Sequence, residues 1–446
     1  MIQNDPLVVS RFLGSDSQSG QKLYSPLNYS ESVKASPQTG KTTRIMIPRL
    51  VDASGAVLAT STRLDVIPPT WNARCGLGPT YVFEPQATVA GVPRLRWSPI
   101  TGCDDRLVAI LRGRAFAAGS GVGGKNVENG QYFEGEAAAI IRALLHAAAL
   151  DGQATITDVA AWARDRRQRR PERILQAHSA GDWADDLIAY RMSASRTADN
   201  ISSVVRRAFD CLADPRVLHA CSPPPGTELD PEEWLTESGT IYLVGDSGSQ
   251  ASVAPLVTAL IEDLVWRARR RAFAAIGGKA DPPLWLLLDE LCNIAPLPST
   301  PSLMSEGGGS GIPTTILTQN NAQLAERFGD KAGEAISNAA SVTILLGGGN
   351  DPKQLRDMQA LAGKVTEVSH SHSWGAGRAV QYSEQIRRED LLDLAELRTL
   401  PLGRGLVLAS NLPPFEVNLA AWWERADAAD LQTSDAQFRA MIARAA

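Results

Sequence analysis

Short apolar runs alternate with stretches of helical periodicity over most of the chain. GAVLATS (55–61) and TYVFEP (80–85) are apolar runs bounded by Gly or Pro, the mark of buried parallel strands. Before them, SVKASPQTGKTTRIMIPRLV (32–51) passes from a short apolar stretch through a polar turn into helical spacing carried by Ile45, Ile47 and Leu50. RLRWSPITGCDD (94–105) is a Pro/Gly turn that closes this first segment. From about Arg106 to Leu218 the pattern is helical throughout. EGEAAAIIRALLHAAAL, TITDVAAWARDRRQRR, GDWADDLIAYRMSA and ADNISSVVRRAFDCL space their apolar residues by three and four, with acidic or hydroxyl residues near their starts. Strands then resume in GTIYLVGD, PPLWLLLDEL, PTTILTQN, SVTILLGG, KVTEVSH and RGLVLAS, with helices such as SVAPLVTALIEDLVWRARRRAFAAI, NAQLAERF and DPKQLRDMQALAG between them. The alternation predicts an α/β fold with a parallel, doubly wound sheet and an all-helical insertion. SEGGGSGIP and SHSHSWGAGRAVQ read as flexible loops.

Composition narrows the class. A chain of 446 residues with 44% apolar and 21% charged residues has ample material for a buried core. Lys plus Arg is 44 against 49 for Asp plus Glu, a net charge of −5, which excludes a wholly basic, DNA-coating protein and leaves a local basic surface open. Cys75, Cys103, Cys211, Cys221 and Cys292 are scattered without a CxxC pair and read as reduced core thiols. No apolar run approaches the roughly 20 residues of a membrane helix.

Three segments carry candidate chemistry. Ala35-Ser36-Pro37-Gln38-Thr39-Gly40-Lys41-Thr42, with Thr43 following, is a phosphate-loop pattern with Ala at its first glycine. Such a loop turns its amides toward phosphates, gives a Lys to the β and γ oxygens, and places a hydroxyl on Mg²⁺ at a helix N-terminus. Trp285-Leu286-Leu287-Leu288 runs into Asp289-Glu290, an apolar strand ending in two carboxylates: one to hold Mg²⁺ through water, the next to polarise an attacking water. Gln319 ends the run TTILT and is placed to sense a γ-phosphate or orient that water. Two arginine clusters, Arg164/166/167/169/170 and Arg267/269/270/271, fall late in helices and suit either the helix dipole or a phosphate backbone. His370 and His372 have no carboxylate or Cys close by and read as a solvated loop.

Taken together, ASPQTGKTTRIMIP, GAVLATSTRLDV, RWSPITGC, LLLDELCNIAPLPSTPSL, ILTQNNAQL, ILLGGGNDPKQL and LPLGRGLVLASNLPPFEV resemble the cytosolic ATPase of the type IV coupling proteins, the TraG/TraD family of conjugation, in its actinobacterial form. The resemblance implies a RecA-like P-loop ATPase domain (1–112 and 223–446) with an inserted all-α domain (113–222) that recognises relaxosome or substrate proteins. It also implies ATP and Mg²⁺ between subunits of a homo-hexamer, and DNA, single- or double-stranded, or a relaxase-DNA complex moved toward a secretion channel. On that pattern Lys41 and Thr42 bind the triphosphate and Mg²⁺, Asp289 holds the metal, Glu290 activates water and Gln319 is the sensor. Family members start with transmembrane helices, so a chain beginning just before the phosphate loop is either truncated or a soluble variant docked on a membrane partner at the inner face of the cell membrane. The family places a trans-acting arginine where this chain has Gly308, with Arg327 and Arg44 as substitutes. The rival reading is a non-hydrolysing adaptor that recruits cargo through its helical region.

Overall fold

The computed structural model describes residues 10–84, 91–123, 129–193, 196–224, 226–245, 250–374 and 380–445, with side chains described except at 250 and 367–389. Its frame is one eleven-stranded sheet in the order β2-β1-β13-β12-β9-β3-β8-β7-β4-β6-β5. The parallel half comprises β3 (Glu31–Lys34), β4 (Ala56–Ser61), β5 (Thr80–Phe83), β6 (Thr240–Val244), β7 (Leu284–Asp289), β8 (Thr314–Thr318) and β9 (Val342–Leu346). Most of these strands are buried on both faces and read as short apolar runs, whereas β3, Glu31-Ser32-Val33-Lys34, is buried with a charge at each end. Side chains alternate between two cores. Leu284, Leu286 and Leu288 of β7 join a cluster with the long helix Gln250–Ala274, while Trp285 and Leu287 face the opposite cluster with Ile45, Ile47 and Phe438.

The sheet does not stop at its parallel half. β12 (Arg404–Ala409) pairs antiparallel with β9, and β13 (Phe415–Asn418), β1 (Ser10–Asp16) and β2 (Lys22–Pro26) extend it antiparallel. RGLVLAS is thus a strand, as read, but it runs against its neighbour; β1 and β2 carry too few consecutive apolar residues to stand out in the sequence. KVTEVSH leaves the sheet altogether. β10 (Lys364–Trp374) pairs only with β11 (Val380–Asp390), from Lys364 opposite Asp390 to Trp374 opposite Val380. The expected loop SHSHSWGAGRAVQ is therefore strand on both sides of 375–379. Alternating polar positions of this kind cannot be buried on both faces, as a central strand requires.

The helical stretch holds Arg106–Gly119, Gly130–Asp151, Ile156–Arg164, Arg170–Ala177, Gly181–Met192, Arg196–Phe209 and Pro215–Ala220. TITDVAAWARDRRQRR is two helices rather than one. The first ends at Arg164, and Pro171 opens the next, where its fixed φ and missing N–H suit the first turn. A boundary at 112/113 falls inside the helix Arg106–Gly119. That helix and Gly130–Asp151 pack into the same apolar cluster as the long helix and the sheet face, through Phe116, Ile141, Leu256 and Leu286 among others.

Candidate functional site

β3 stops at Lys34, and the Ala35 amide still donates to Thr318 O (3.0 Å), so the loop leaves the sheet from between its central strands. Gln38 and Gly40 take left-handed backbone angles, φ +64° and +88°, which turn the loop back onto the sheet edge. Thr39 Oγ1 bonds Ser36 O at 2.8 Å, and Pro37 and Gln38 form the exposed tip. The helix follows at once as a π-helical turn, Thr42–Met46, continuing into Ile47–Asp52 with Pro48 near its start. Ile45, Met46, Ile47 and Leu50 bury its inner face. The Arg44 amide closes the first turn onto Gly40 O at 2.9 Å, and amides ahead of it at a helix start have no intrahelical partner and suit an anion.

The sheet order brings the three sequence segments together. β8 lies between the phosphate-loop strand β3 and β7, so Lys41, Asp289, Glu290 and Gln319 all reach the same end of the parallel half. Lys41 Nζ is 2.9 Å from Asp289 Oδ1 and 3.2 Å from Glu290 Oε1. Gln319 Nε2 donates to Glu290 Oε1 at 3.4 Å. Asn293 Nδ2 holds the other oxygen, Oε2, at 3.2 Å. Glu290 itself has φ +53° and ψ +36°, a conformation rare for a residue with a side chain. That turn separates β7 from the short helix Leu291–Ile294 and carries the carboxylate past the strand end. Burial opposes the charge on Lys41, but Asp289 and Glu290 more than offset it and hold the ammonium above its ordinary value. Burial, aided by Glu290, raises Asp289 above its ordinary value against the pull of Lys41.

Asp289 and the hydroxyl beside Lys41, Thr42, are hard oxygen donors of the kind Mg²⁺ takes, with room left for water and phosphate oxygens. The Lys41–Asp289 bond draws them to one end of the sheet. A second support was not evident in the sequence: Thr60 Oγ1, one strand over on β4, donates to the Asp289 carbonyl at 2.6 Å. Its only sequence signal is a hydroxyl near the end of an apolar run.

The arginines expected to act in trans are otherwise engaged. Gly308 is not in an open loop; SEGGGSGIP contains a tight turn, Gly307–Ser310, in which Gly307 and Gly308 are buried. A Cβ on Gly308 would lie 2.4 Å from Asn28 O and 2.6 Å from Asn28 Cα, so this turn closes against backbone and needs the missing side chain. Arg327 lies 3.5 Å from the Ala118 and Gly119 carbonyls that end the helix Arg106–Gly119, beside Glu134. Arg44 bonds the Leu419 carbonyl and, at 3.0 Å, Glu424 Oε2.

The arginine clusters have partners within the fold. Arg267 pairs with Asp263 (3.5 Å) and Glu232 (3.7 Å), Arg269 bonds Ser302 Oγ (2.6 Å), Arg270 lies over the Trp266 ring, and Arg271 bonds Thr236 Oγ1 and Asp281 O. In the other cluster only Arg164 ends a helix. Arg166 pairs with Asp199, Arg167 with Asp165, and Arg170, which opens the next helix, with Asp151 and Asp158. Arg169 precedes that helix and is exposed. The side chains of His370 and His372 lie outside the described residues.

Residues 283–402, from β7 through the loop before β12, match the family model described as the TraM recognition site of TraD and TraG. Over that segment the chain is similar to the TraG/TraD-type coupling proteins. Its fold agrees. The unbound monoclinic form of the bacterial conjugative coupling protein TrwBdeltaN70 superposes with a TM-score of 0.68 at 16% identity, over 91% of this chain and 88% of that one. The plasmid coupling protein TrwB in complex with ADP and Mg²⁺ gives 0.67 at 17% identity, over 92% and 90%. VirB4 of Thermoanaerobacter pseudethanolicus gives 0.52 at 13% identity, over 94% and 98%. A search of curated proteins finds no match. Among the described residues no helix is long and apolar enough to cross a membrane.

Proposed function

We propose that this chain is an ATP-hydrolysing motor of conjugative transfer, which recruits DNA or a relaxase-DNA complex and moves it toward a type IV secretion channel. The observation that carries the reading is the convergence of Lys41, Asp289, Glu290 and Gln319 on one strand-end site. In the reaction Lys41 releases the two carboxylates and takes the β and γ phosphate oxygens, and the loop Ala35–Thr43 wraps the phosphates with the amides that lie beyond Pro37. Thr42 and, through water, Asp289 would hold Mg²⁺, which would supply positive charge against the phosphates. Glu290 takes the proton of the attacking water, and Gln319 orients its carboxylate. In this reading 113–222 is the recognition region, the active form is a homo-hexamer, and the protein works at the cytoplasmic face of the membrane beside a channel partner.

A second reading is favoured by the arginines. With Gly308 closed against Asn28, and Arg44 and Arg327 bonded within their own chain, none of these three positions offers a free cation to a neighbour's nucleotide. That suits slow hydrolysis, or an adaptor in which ATP only orders a scaffold. ATPase turnover of the purified chain with and without DNA, alongside Glu290→Gln, decides between them. A motor shows DNA-stimulated turnover that falls by about 10²–10⁴ in the variant while nucleotide binding persists. Nucleotide binding with no turnover under either condition rejects the motor in favour of the adaptor.

A further inference from the structure

The phosphate-loop strand carries two buried charges that the fold treats differently. Glu31, at its start, has Arg49 at 2.8 Å and Arg11 at 3.6 Å as counter-charges, with Thr315 Oγ1 donating at 2.9 Å. Lys34, at its end, is 3% exposed, and its hydrogen bond is to one neutral group, Thr318 Oγ1 at 3.2 Å. The charged or titratable group that acts on its ammonium is the Cys292 thiol, two residues past Glu290. Other deeply buried cations have a carboxylate or several acceptors: Arg112 has Asp263 at 2.8 Å, and Arg74 bonds three carbonyls and Thr240 Oγ1. Among the described residues the Lys34 ammonium thus has one acceptor for three N–H donors and no carboxylate paired with it, an arrangement that is costly for a buried cation.

Its position points to a counter-charge. Val33 faces the phosphate-loop helix, so Lys34, one residue on, faces the opposite side of the sheet, toward Thr318 Oγ1 and the Cys292 thiol, each within two residues of the strand-end groups Gln319 and Glu290. It directly precedes Ala35. We propose that Lys34 is a second phosphate-directed cation of the nucleotide site, its counter-charge being the terminal phosphate of a bound nucleoside triphosphate. The inference rests on the reading of Lys41, Asp289 and Glu290 as a nucleotide site. A four-carbon stem lets the ammonium swing from Thr318 toward Gln319 and Glu290 without moving the backbone. Burial lowers its pKa to about 8, with the Cys292 thiol pulling the other way.

The test compares Lys34→Met, Lys34→Gln and Lys41→Ala with the wild-type chain for binding of ADP and of a non-hydrolysable ATP analogue, and for melting temperature without nucleotide. The proposal expects Lys34→Met and Lys34→Gln to lose about tenfold or more in affinity for the triphosphate, the size of one charge-assisted hydrogen bond, and clearly less for ADP. It also expects Lys34→Met to melt no lower than wild type, because the variant removes an unpaired buried charge. Wild-type affinity for both nucleotides in the Lys34 variants, with binding lost in Lys41→Ala, overturns the role of Lys34 and leaves the site standing. Equal loss of both nucleotides with a lowered melting temperature makes Lys34 structural and also overturns it. Undiminished binding in Lys41→Ala removes the nucleotide site itself.

Discussion

Two ion clusters flank the phosphate-loop strand, and they differ in access to water. At its start Glu31, Arg49 and Arg11 are at most 3% exposed. Beyond its end Lys41, Asp289 and Glu290 are 17%, 5% and 14% exposed. The first cluster is sealed under Trp285, over which Arg11 lies, and ties the strand to the helix that follows the loop. In the proposed function the second is an ion cluster that a ligand opens, because a triphosphate would offer Lys41 more negative charge than the two carboxylates do. The same residue types therefore serve as frame in one place and as a provisional lock in the other, and solvent access, not charge, separates the roles.

The sealed cluster gives the largest expected effect. Glu31→Ala leaves two buried guanidinium groups without their carboxylate, and removing one partner of such a set costs about 3–5 kcal/mol. Chemical denaturation should show that loss; a change below about 1 kcal/mol would mean that water reaches the cluster and the contrast is false. The pH dependence has a definite sign. Burial alone would raise Glu31, but Arg49 and Arg11 outweigh it and hold the carboxyl below its ordinary 4.5. Its contribution is thus fully present above 4.5 and is lost as the pH falls through the lower native value. The acid limb of the stability curve should flatten in Glu31→Gln.

At the open cluster the effect moves from folding to binding. Lys41→Ala removes a charge-assisted partner of the phosphates, about 1.5–3 kcal/mol of nucleotide affinity or more. Stability without nucleotide should change less than in Glu31→Ala, since water can reach the two carboxylates left behind. Titration calorimetry and denaturation on one preparation measure both, and a larger loss of stability than of affinity would merge the two clusters into one structural class.

The open cluster was legible in the sequence and the sealed one was not. Gly40-Lys41-Thr42, Asp289-Glu290 and Gln319 announce themselves because each breaks an apolar strand at its end, and the parallel order of β3, β8 and β7 then aligns those ends. Glu31 and Lys34 bracket only two residues of a short strand, and nothing local tells whether such charges face water. Their partners Arg11, Arg49 and Thr318 come from separate elements, so only the sheet order joins them. The outer antiparallel strands were missed for the same reason: β1 pairs with β13, some 400 residues away in sequence, and β2 is carried on β1. The helical stretch was read correctly as helical, because its three- and four-residue spacing is local, whereas its shared core with the sheet is not.

The smallest effect is expected where the sealed and open environments meet within two residues. Gly308 and Gly309 are neighbours in one turn, yet a Cβ at Gly308 would collide with Asn28 backbone while a Cβ at Gly309 meets nothing within 4 Å. Gly308→Arg should therefore destabilise the chain by about 1–3 kcal/mol or more, since backbone has to move to admit it. Gly309→Arg should stay within about 0.5 kcal/mol of wild type, as an exposed substitution does. This makes Gly309, not Gly308, the position at which to restore a mobile arginine to this turn. If slow turnover reflects the want of a trans-acting cation, Gly309→Arg should raise turnover per assembled particle with little change in ATP affinity, and an added arginine that reaches the transferring phosphate has up to about 10³–10⁵ in rate to give. A folded Gly309→Arg protein that assembles and turns over no faster than wild type would place the limitation elsewhere, in Glu290 or in the opening of the Lys41 lock.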